Sequence, residues 1–136
     1  MLEGTWHLEG WEIEAGGAVT HPFGPDATGL IHYTADGGMS ACIARAGRPR
    51  WSTGNPRKAP DAERLAAFES YFQYAGTWRV ENREGGPVVI HTVTHSLNPD
   101  FVGTEQVRHV DLRGDALTLS AHEGPRHHRL HWRRGC

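Results

Sequence analysis

Gly4-Thr5-Trp6, near the start of the chain, and Trp132-Arg133-Arg134, near its end, decide the fold that the sequence predicts. A Trp on the first strand of a β-barrel can plug one end, and an Arg on the last strand can stack its guanidinium on the indole face. A barrel that is plugged at one end is a cup, and a cup can hold a small molecule. The sequence therefore predicts a ligand pocket before it indicates any chemistry.

Most of the chain shows the residue alternation of half-buried strands, interrupted by tight turns such as Asp36-Gly37. The predicted strands are Thr5–Ile13, Ala18–Thr20, Gly29–Thr34, Met39–Arg45, Thr77–Asn82, Val88–Ser96, Glu105–Asp111, Ala116–Ala121 and His127–Arg133. An open sheet of this size would leave two unpaired edges, which favours closure. We expect an all-β, up-and-down antiparallel barrel of about eight to ten strands in a single domain over residues 1–136.

One segment has helical rather than strand spacing. Leu65, Phe68 and Phe72 recur on one helical face, and Gly76 provides a stop signal. The sequence predicts a short helix over Asp61–Tyr74, packed at one end of the barrel. Phe68 and Phe72 are then expected in the core.

Charge and hydropathy exclude several classes of partner. The chain has 14 Lys and Arg residues against 16 Asp and Glu residues, and the signs are interspersed, so no basic face for nucleic acid is expected. No apolar run reaches the roughly 20 residues of a membrane span, and no run has the length of a secretory leader. The two cysteines, Cys42 and Cys136, make a poor disulfide framework. We expect a cytoplasmic protein and leave open a homodimer formed through strand edges.

Several segments, in order over nearly the whole chain, resemble the bacterial lipocalin-like domain family of small calycin-type barrels. They are Gly4-Thr5-Trp6-x-Leu8, Pro22-Phe23-Gly24, Thr28–Ser40, Tyr71–Thr77, Leu97–Arg108, Gly114–Leu119 and Trp132-x-Arg134. The resemblance implies a barrel with a small-molecule cavity. It implies no particular reaction, since such barrels include binding proteins as well as isomerases and cyclases of natural-product intermediates. His32 stands where the family commonly has Tyr or an aliphatic residue, so we expect His32 to contact the ligand.

His91 and His95 are the candidate general bases. Period-two alternation places both on one face of the same strand, separated by roughly 13 Å at about 3.3 Å per residue. That separation is too long for two ligands of one metal ion, so no metal site is expected. An imidazole in the cup would exchange protons near neutral pH. The alternative is one exposed His at a strand end and one hydrogen-bonded core His.

Arg108 and Gln106 share a face on the next strand, and that face is a candidate for ligand recognition. A buried Arg needs a carboxylate or a ligand anion, because an unpaired buried charge is unfavourable. Glu12, on the predicted inner face of Trp6 and Leu8, is one candidate partner. An Arg–Glu pair that only braces the barrel is the alternative.

Two tyrosines complete the candidate site. The hydroxyls of Tyr33 and Tyr74 are suited to orienting a carbonyl or stabilising an enolate-like oxygen, although ordinary core packing is the alternative. The residues expected to bind ligand are Trp6, Glu12, His32, Met39, Tyr74 and Gln106; the catalytic candidates are His91, His95, Tyr33 and Arg108.

Two functions fit this inventory. The first is an enzyme that rearranges a hydrophobic small molecule by proton transfer, without metal or organic cofactor, as an isomerase, cyclase or dehydratase of natural-product biosynthesis. The second is a non-catalytic carrier of such a molecule. The sequence has no phosphate loop, no G-x-S-x-G elbow and no C-x-x-C pair, which argues against several large enzyme classes.

Overall fold

A computed structural model describes residues 1–135, so Cys136 lies outside the described residues. The strands within that range are Gly4–Ala15 (β1), Ala18–Thr20 (β2), Thr28–Tyr33 (β3), Gly38–Ala44 (β4), Tyr71–Arg83 (β5), Gly86–Ser96 (β6), Glu105–Arg113 (β7), Ala116–Glu123 (β8) and Arg126–Arg134 (β9). One α-helix, α1, covers Asp61–Glu69, and two short 3-10 turns cover Pro56–Lys58 and Pro99–Phe101. In the described part of the chain, no helix is long and apolar enough to cross a membrane.

The sheet closes because the first strand pairs with the last. From β3 to β9 the strands pair in chain order, and β1 pairs antiparallel with both β3 and β9. The short β2 only extends the sheet beside the C-terminal end of β1. The described strands therefore form a closed ring of eight, which confirms the predicted antiparallel barrel.

One end of the barrel is sealed by Trp6 on β1 and Arg134 on β9. Trp6 is fully buried, and its Nε1 donates to the Leu2 carbonyl at 2.9 Å. The Arg134 guanidinium lies 4.2 Å from the centre of the Trp6 ring and donates to the carbonyls of Met1 and Glu3. Stacking and hydrogen bonding thus fix the N-terminal segment over the barrel floor.

The other end is built from longer connections. Residues 21–27, 45–70 and 97–104 lie at this open end, and α1 belongs to the second of these segments. Residues 34–37, 84–85 and 114–115 are tight turns at the sealed end. The two ends of the barrel therefore differ: short turns lie at the sealed end, and long connections border the open end.

The helix is shorter than its sequence pattern predicts. It begins at Asp61 as expected but ends at Glu69, and Tyr71–Arg83 form β5. Phe72 and Tyr74 pair in register with β4, so strand pairing overrides the helical spacing there. Phe68 is 51% exposed on α1, so its predicted place in the core is wrong.

Two β-bulges reverse the alternation of residues along their strands. Between Leu8 and Gly10 the pairing with β9 advances by one partner only, so Glu9 is an extra residue on β1. On β6 the pairing with β5 likewise skips Thr94. Beyond an extra residue, the side chains that a strict period of two would place inside lie outside.

Gly76 is the partner-strand residue at the second bulge, and its replacement tests how closely the strands approach. A Cβ at Gly76 would lie 1.8 Å from the Thr92 carbonyl oxygen, so Gly76→Ala forces backbone movement. We expect the free energy of unfolding to fall by about 2 kcal/mol or more, measured by urea denaturation.

Gly85→Ala is the matched control, because a Cβ there meets no atom within 4 Å. Equal stability of the two variants would contradict the close approach at the bulge.

Candidate ligand-binding site

A cavity of about 420 Å³ extends inward from the open end of the barrel. This volume falls in the range of small-molecule sites. Most of its wall is apolar and aromatic, and the principal apolar contributors are Ile31, Ile43, Phe72, Phe101, Leu130 and Trp132. A smaller polar region is formed by Tyr74, His91, Gln106 and Arg108, and His122, Glu123 and His128 also line the cavity.

The buried polar centre of the site is a chain of three side chains. His91 is 2% exposed and lies between two tyrosines. Its Nε2 is 2.7 Å from the Tyr33 hydroxyl, and its Nδ1 is 2.6 Å from the Tyr74 hydroxyl. Three strands supply these residues: Tyr33 comes from β3, and Tyr74 and His91 come from the neighbouring strands β5 and β6. Both imidazole nitrogens are thus engaged by the protein.

Burial keeps all three groups uncharged at neutral pH. Loss of solvation lowers the pKa of His91 to about 3, and the positive charge of Arg108 adds to this effect. Burial also raises the pKa of Tyr33 well above its usual value, with the neighbouring Tyr74 as a second cause. The pKa of Tyr74 is raised by burial as well. His91 is therefore a neutral hydrogen-bonding group and a weak base.

Arg108 is half-buried in the cavity wall and has few protein partners. Its Nη1 donates to the Val107 carbonyl at 3.0 Å, and its Nη2 lies 3.3 Å from the Gln106 Oε1. Within residues 1–135, no carboxylate forms an ion pair with this guanidinium. A guanidinium has five N–H donors, so several remain for a ligand or for water.

Trp132 contributes a second donor without a partner. Its Nε1 is buried and makes no hydrogen bond to the described part of the chain. Buried N–H groups normally have an acceptor, because leaving one unpaired costs about 1–3 kcal/mol. The Trp132 side chain also lines the cavity, but its Nε1 has almost no accessible surface there.

The structure does not bring His95 to the site. Because Thr94 is the extra residue of the β6 bulge, His95 does not share the inward face of His91. It is exposed, and its Nδ1 contacts the Thr94 hydroxyl at 2.9 Å. Of the two alternatives, the structure therefore agrees with one exposed His and one hydrogen-bonded core His, and the two histidines do not line one wall.

Glu12 is displaced by the same mechanism on β1. It follows the extra residue Glu9, and it contacts His131 at 3.0 Å and Arg129 at 3.7 Å instead of Arg108. The hydrogen bond from His131 lowers the pKa of the Glu12 carboxyl below its usual value. The predicted Glu12–Arg108 pair does not form.

Four further candidates lie off the cavity surface. Trp6 and Met39 are core residues and do not line the cavity. The His32 ring lies 3.0 Å from the Thr5 hydroxyl and is also absent from the cavity wall, contrary to expectation. Tyr33 reaches the site only through His91. Among the described residues, no three His, Cys, Asp or Glu side chains are grouped as a metal site.

The model of the lipocalin-like domain matches residues 3–135. The chain belongs to the lipocalin-like domain family. A curated relative from Aspergillus oryzae is 34% identical over 86 residues, which are 60% of this chain and 78% of the relative. That relative is named a carrier protein of 4'-hydroxy-3'-methoxypropiophenone.

Sequence reasoning missed the aromatic lining of this lipocalin-like cavity. Trp11 lines the wall, packs edge-on against Phe23 at 5.1 Å between ring centres, and donates from Nε1 to the His128 Nδ1 at 3.2 Å. Phe101 lies in the connection between β6 and β7. The family segment Pro22-Phe23-Gly24 was the available signal for Phe23, but strict alternation from Trp6 placed Trp11 outside.

The low pKa of His91 predicts how stability depends on pH. The unfolded chain takes up this proton near the usual value of 6.5, and the folded protein only near 3. The contribution of His91 to the free energy of unfolding is therefore fully present above about pH 6.5. It falls by up to about 1.4 kcal/mol per pH unit as the pH decreases toward 3. Urea denaturation between pH 7 and pH 4 should show a shallower slope in His91→Gln.

His95→Gln is the control, because this exposed His lies on the same strand. The slope should fall less in this variant than in His91→Gln. A His91→Gln slope as steep as that of the wild type would show that His91 is solvated in the folded protein.

Proposed function

We propose that the protein is a carrier, which holds a small and mostly apolar molecule in its barrel cavity through an oxygen that accepts hydrogen bonds. The apolar wall supplies most of the binding free energy through buried surface. The polar region fixes the orientation of the ligand. Membership of the lipocalin-like family and the cavity of about 420 Å³ support small-molecule binding.

The observation that carries the proposal is Arg108 in the cavity wall, which has no carboxylate partner among residues 1–135. A guanidinium in a largely apolar cavity is costly unless something with negative charge or a strong acceptor occupies the space. A carbonyl or a deprotonated oxygen on the ligand provides this. The Tyr74 hydroxyl belongs to the same wall and adds a further donor.

The printed name of the Aspergillus relative fits this chemistry. The compound 4'-hydroxy-3'-methoxypropiophenone is an aromatic ketone with a phenol, so it has an apolar ring and acceptor oxygens. We propose a ligand of this class, an aryl ketone or a related phenolic compound, for the present chain.

The catalytic alternative, rearrangement of the same ligand by an isomerase or cyclase reaction, has weaker support. It needs a base that accepts a proton near neutral pH, yet burial lowers the pKa of His91 to about 3 and both its nitrogens already contact tyrosines. His95, the other candidate base, is exposed. The geometry therefore favours holding a ligand over removing a proton from it.

The cytoplasmic location and the homodimer stay predictions.

Removing the guanidinium should weaken binding of 4'-hydroxy-3'-methoxypropiophenone. We expect Arg108→Met to raise the Kd roughly tenfold or more in isothermal titration calorimetry, because hydrogen bonds to a charged donor are lost. Arg113→Met is the matched control: Arg113 lies on the same strand, is 82% exposed and pairs with Asp111. Equal effects of the two changes would contradict the role of Arg108.

The two functions are separated by proton exchange at the carbon beside the ketone. We expect the protein not to accelerate deuterium incorporation into this compound in D₂O, followed by ¹H NMR, although the compound binds. Acceleration that is lost in His91→Gln would favour the acid/base enzyme.

A further inference from the structure

The three buried groups Tyr33, His91 and Tyr74 carry a definite number of protons. Each tyrosine has one O–H, and a neutral imidazole has one N–H and one acceptor nitrogen. His91 can therefore donate to one tyrosine and accept from the other, but it cannot do the same with both. The hydrogen bonds among these three side chains can therefore be arranged in two ways, in which the donors point in opposite directions.

In the first arrangement, Tyr74 donates to the His91 Nδ1, and the Nε2–H donates to the Tyr33 oxygen. The Tyr33 O–H then needs a different acceptor. Tyr33 is only 2% exposed and does not line the cavity. Among residues 1–135 the only hydrogen-bond partner of its hydroxyl is His91, so this arrangement strands a buried donor.

In the second arrangement, Tyr33 donates to the His91 Nε2, and the Nδ1–H donates to the Tyr74 oxygen. The Tyr74 O–H is then the group that needs an acceptor. Tyr74 lines the cavity, so a ligand oxygen or a water molecule can accept from it. In this arrangement each O–H and N–H proton of Tyr33, His91 and Tyr74 can have an acceptor. In the first arrangement the Tyr33 proton has none.

We infer that Tyr33 is a positioning residue, which holds His91 in its Nδ1–H form and so makes the Tyr74 hydroxyl a hydrogen-bond donor to the ligand. Tyr33 touches no ligand itself. Tyr33 acts on the cavity through the His91 imidazole. The Tyr33 oxygen lies 2.7 Å from the His91 Nε2, and the His91 Nδ1 lies 2.6 Å from the Tyr74 oxygen.

This directionality gives the cavity a chemical preference. A ligand whose oxygen accepts satisfies the Tyr74 O–H. A ligand that can only donate leaves either the Tyr74 proton or, if the hydrogen bonds reverse, the Tyr33 proton without an acceptor. The low pKa of His91 means that the imidazole stays neutral near pH 7, so the three side chains together keep one N–H and two O–H protons. The inference rests on the proposed function only for what occupies the cavity, and not for the direction of the chain.

The direction is measured first in the ligand-free protein. Two-bond ¹H–¹⁵N NMR of the imidazole distinguishes Nδ1–H from Nε2–H. We expect wild-type His91 to carry its proton on Nδ1, and we expect Tyr33→Phe to raise the Nε2–H population because the donor to Nε2 is gone. Wild-type His91 protonated on Nε2 would overturn the inference, whether or not any ligand binds.

The consequence for ligands is measured with two probes of matched shape. Propiophenone has a carbonyl oxygen, and 2-phenyl-1-butene has a methylene group in its place. We expect the wild type to prefer the ketone by roughly tenfold. The preference should shrink in Tyr33→Phe and shrink further in Tyr74→Phe, which removes the donor itself.

A ketone preference that is unchanged in Tyr33→Phe or in Tyr74→Phe overturns the inference. If neither probe binds the wild type, the proposed function fails for this ligand class, while the NMR result still decides the direction of the chain. Trp78 packs on Tyr33 at 4.9 Å between ring centres. Trp78→Phe is therefore the control for altered packing, and it should leave the proton on Nδ1.

Discussion

The pairing of β1 with β9 is the constraint on which the rest of the structure depends. It turns a meander of strands into a ring, and it brings Arg134 onto the face of Trp6. Because Arg134 of β9 holds the N-terminal segment over Trp6, one end of the barrel is sealed, whereas long connections border the other end. The cavity forms inside this closed ring of strands.

Within that cup, the polar groups divide into two kinds. Tyr33, His91 and Tyr74 satisfy one another and stay neutral, which lets them be buried at little electrostatic cost. Arg108 keeps its charge at the cavity wall and lacks a carboxylate partner in the described chain. A neutral donor system beside one unpaired cation is suited to recognising an acceptor oxygen on an otherwise apolar molecule.

The fold could be predicted from the sequence because turns and strand alternation are visible in short segments. Closure of the barrel was indicated by the Trp6 and Arg134 segments. Sequence reasoning identified Tyr74, His91, Gln106 and Arg108, which all line the cavity. It misplaced His95 and Glu12 for one physical reason: each follows a β-bulge, and an extra residue has no signature in a period-two pattern. The end of the helix was missed because Phe72 fits helical spacing and strand pairing equally well, and only the register with β4 decides between them.

Closure between the termini also governs the order of events in folding. Among the strand pairings, that of Trp6 with Arg134 joins the residues farthest apart in sequence, so it has the largest loop-closure entropy of these pairings. Leu130 and Trp132, which line the cavity, belong to the same last strand. A nascent chain that lacks β9 therefore lacks the Arg134 contact at the floor and part of the pocket wall, and its barrel can close only after β9 has been synthesised.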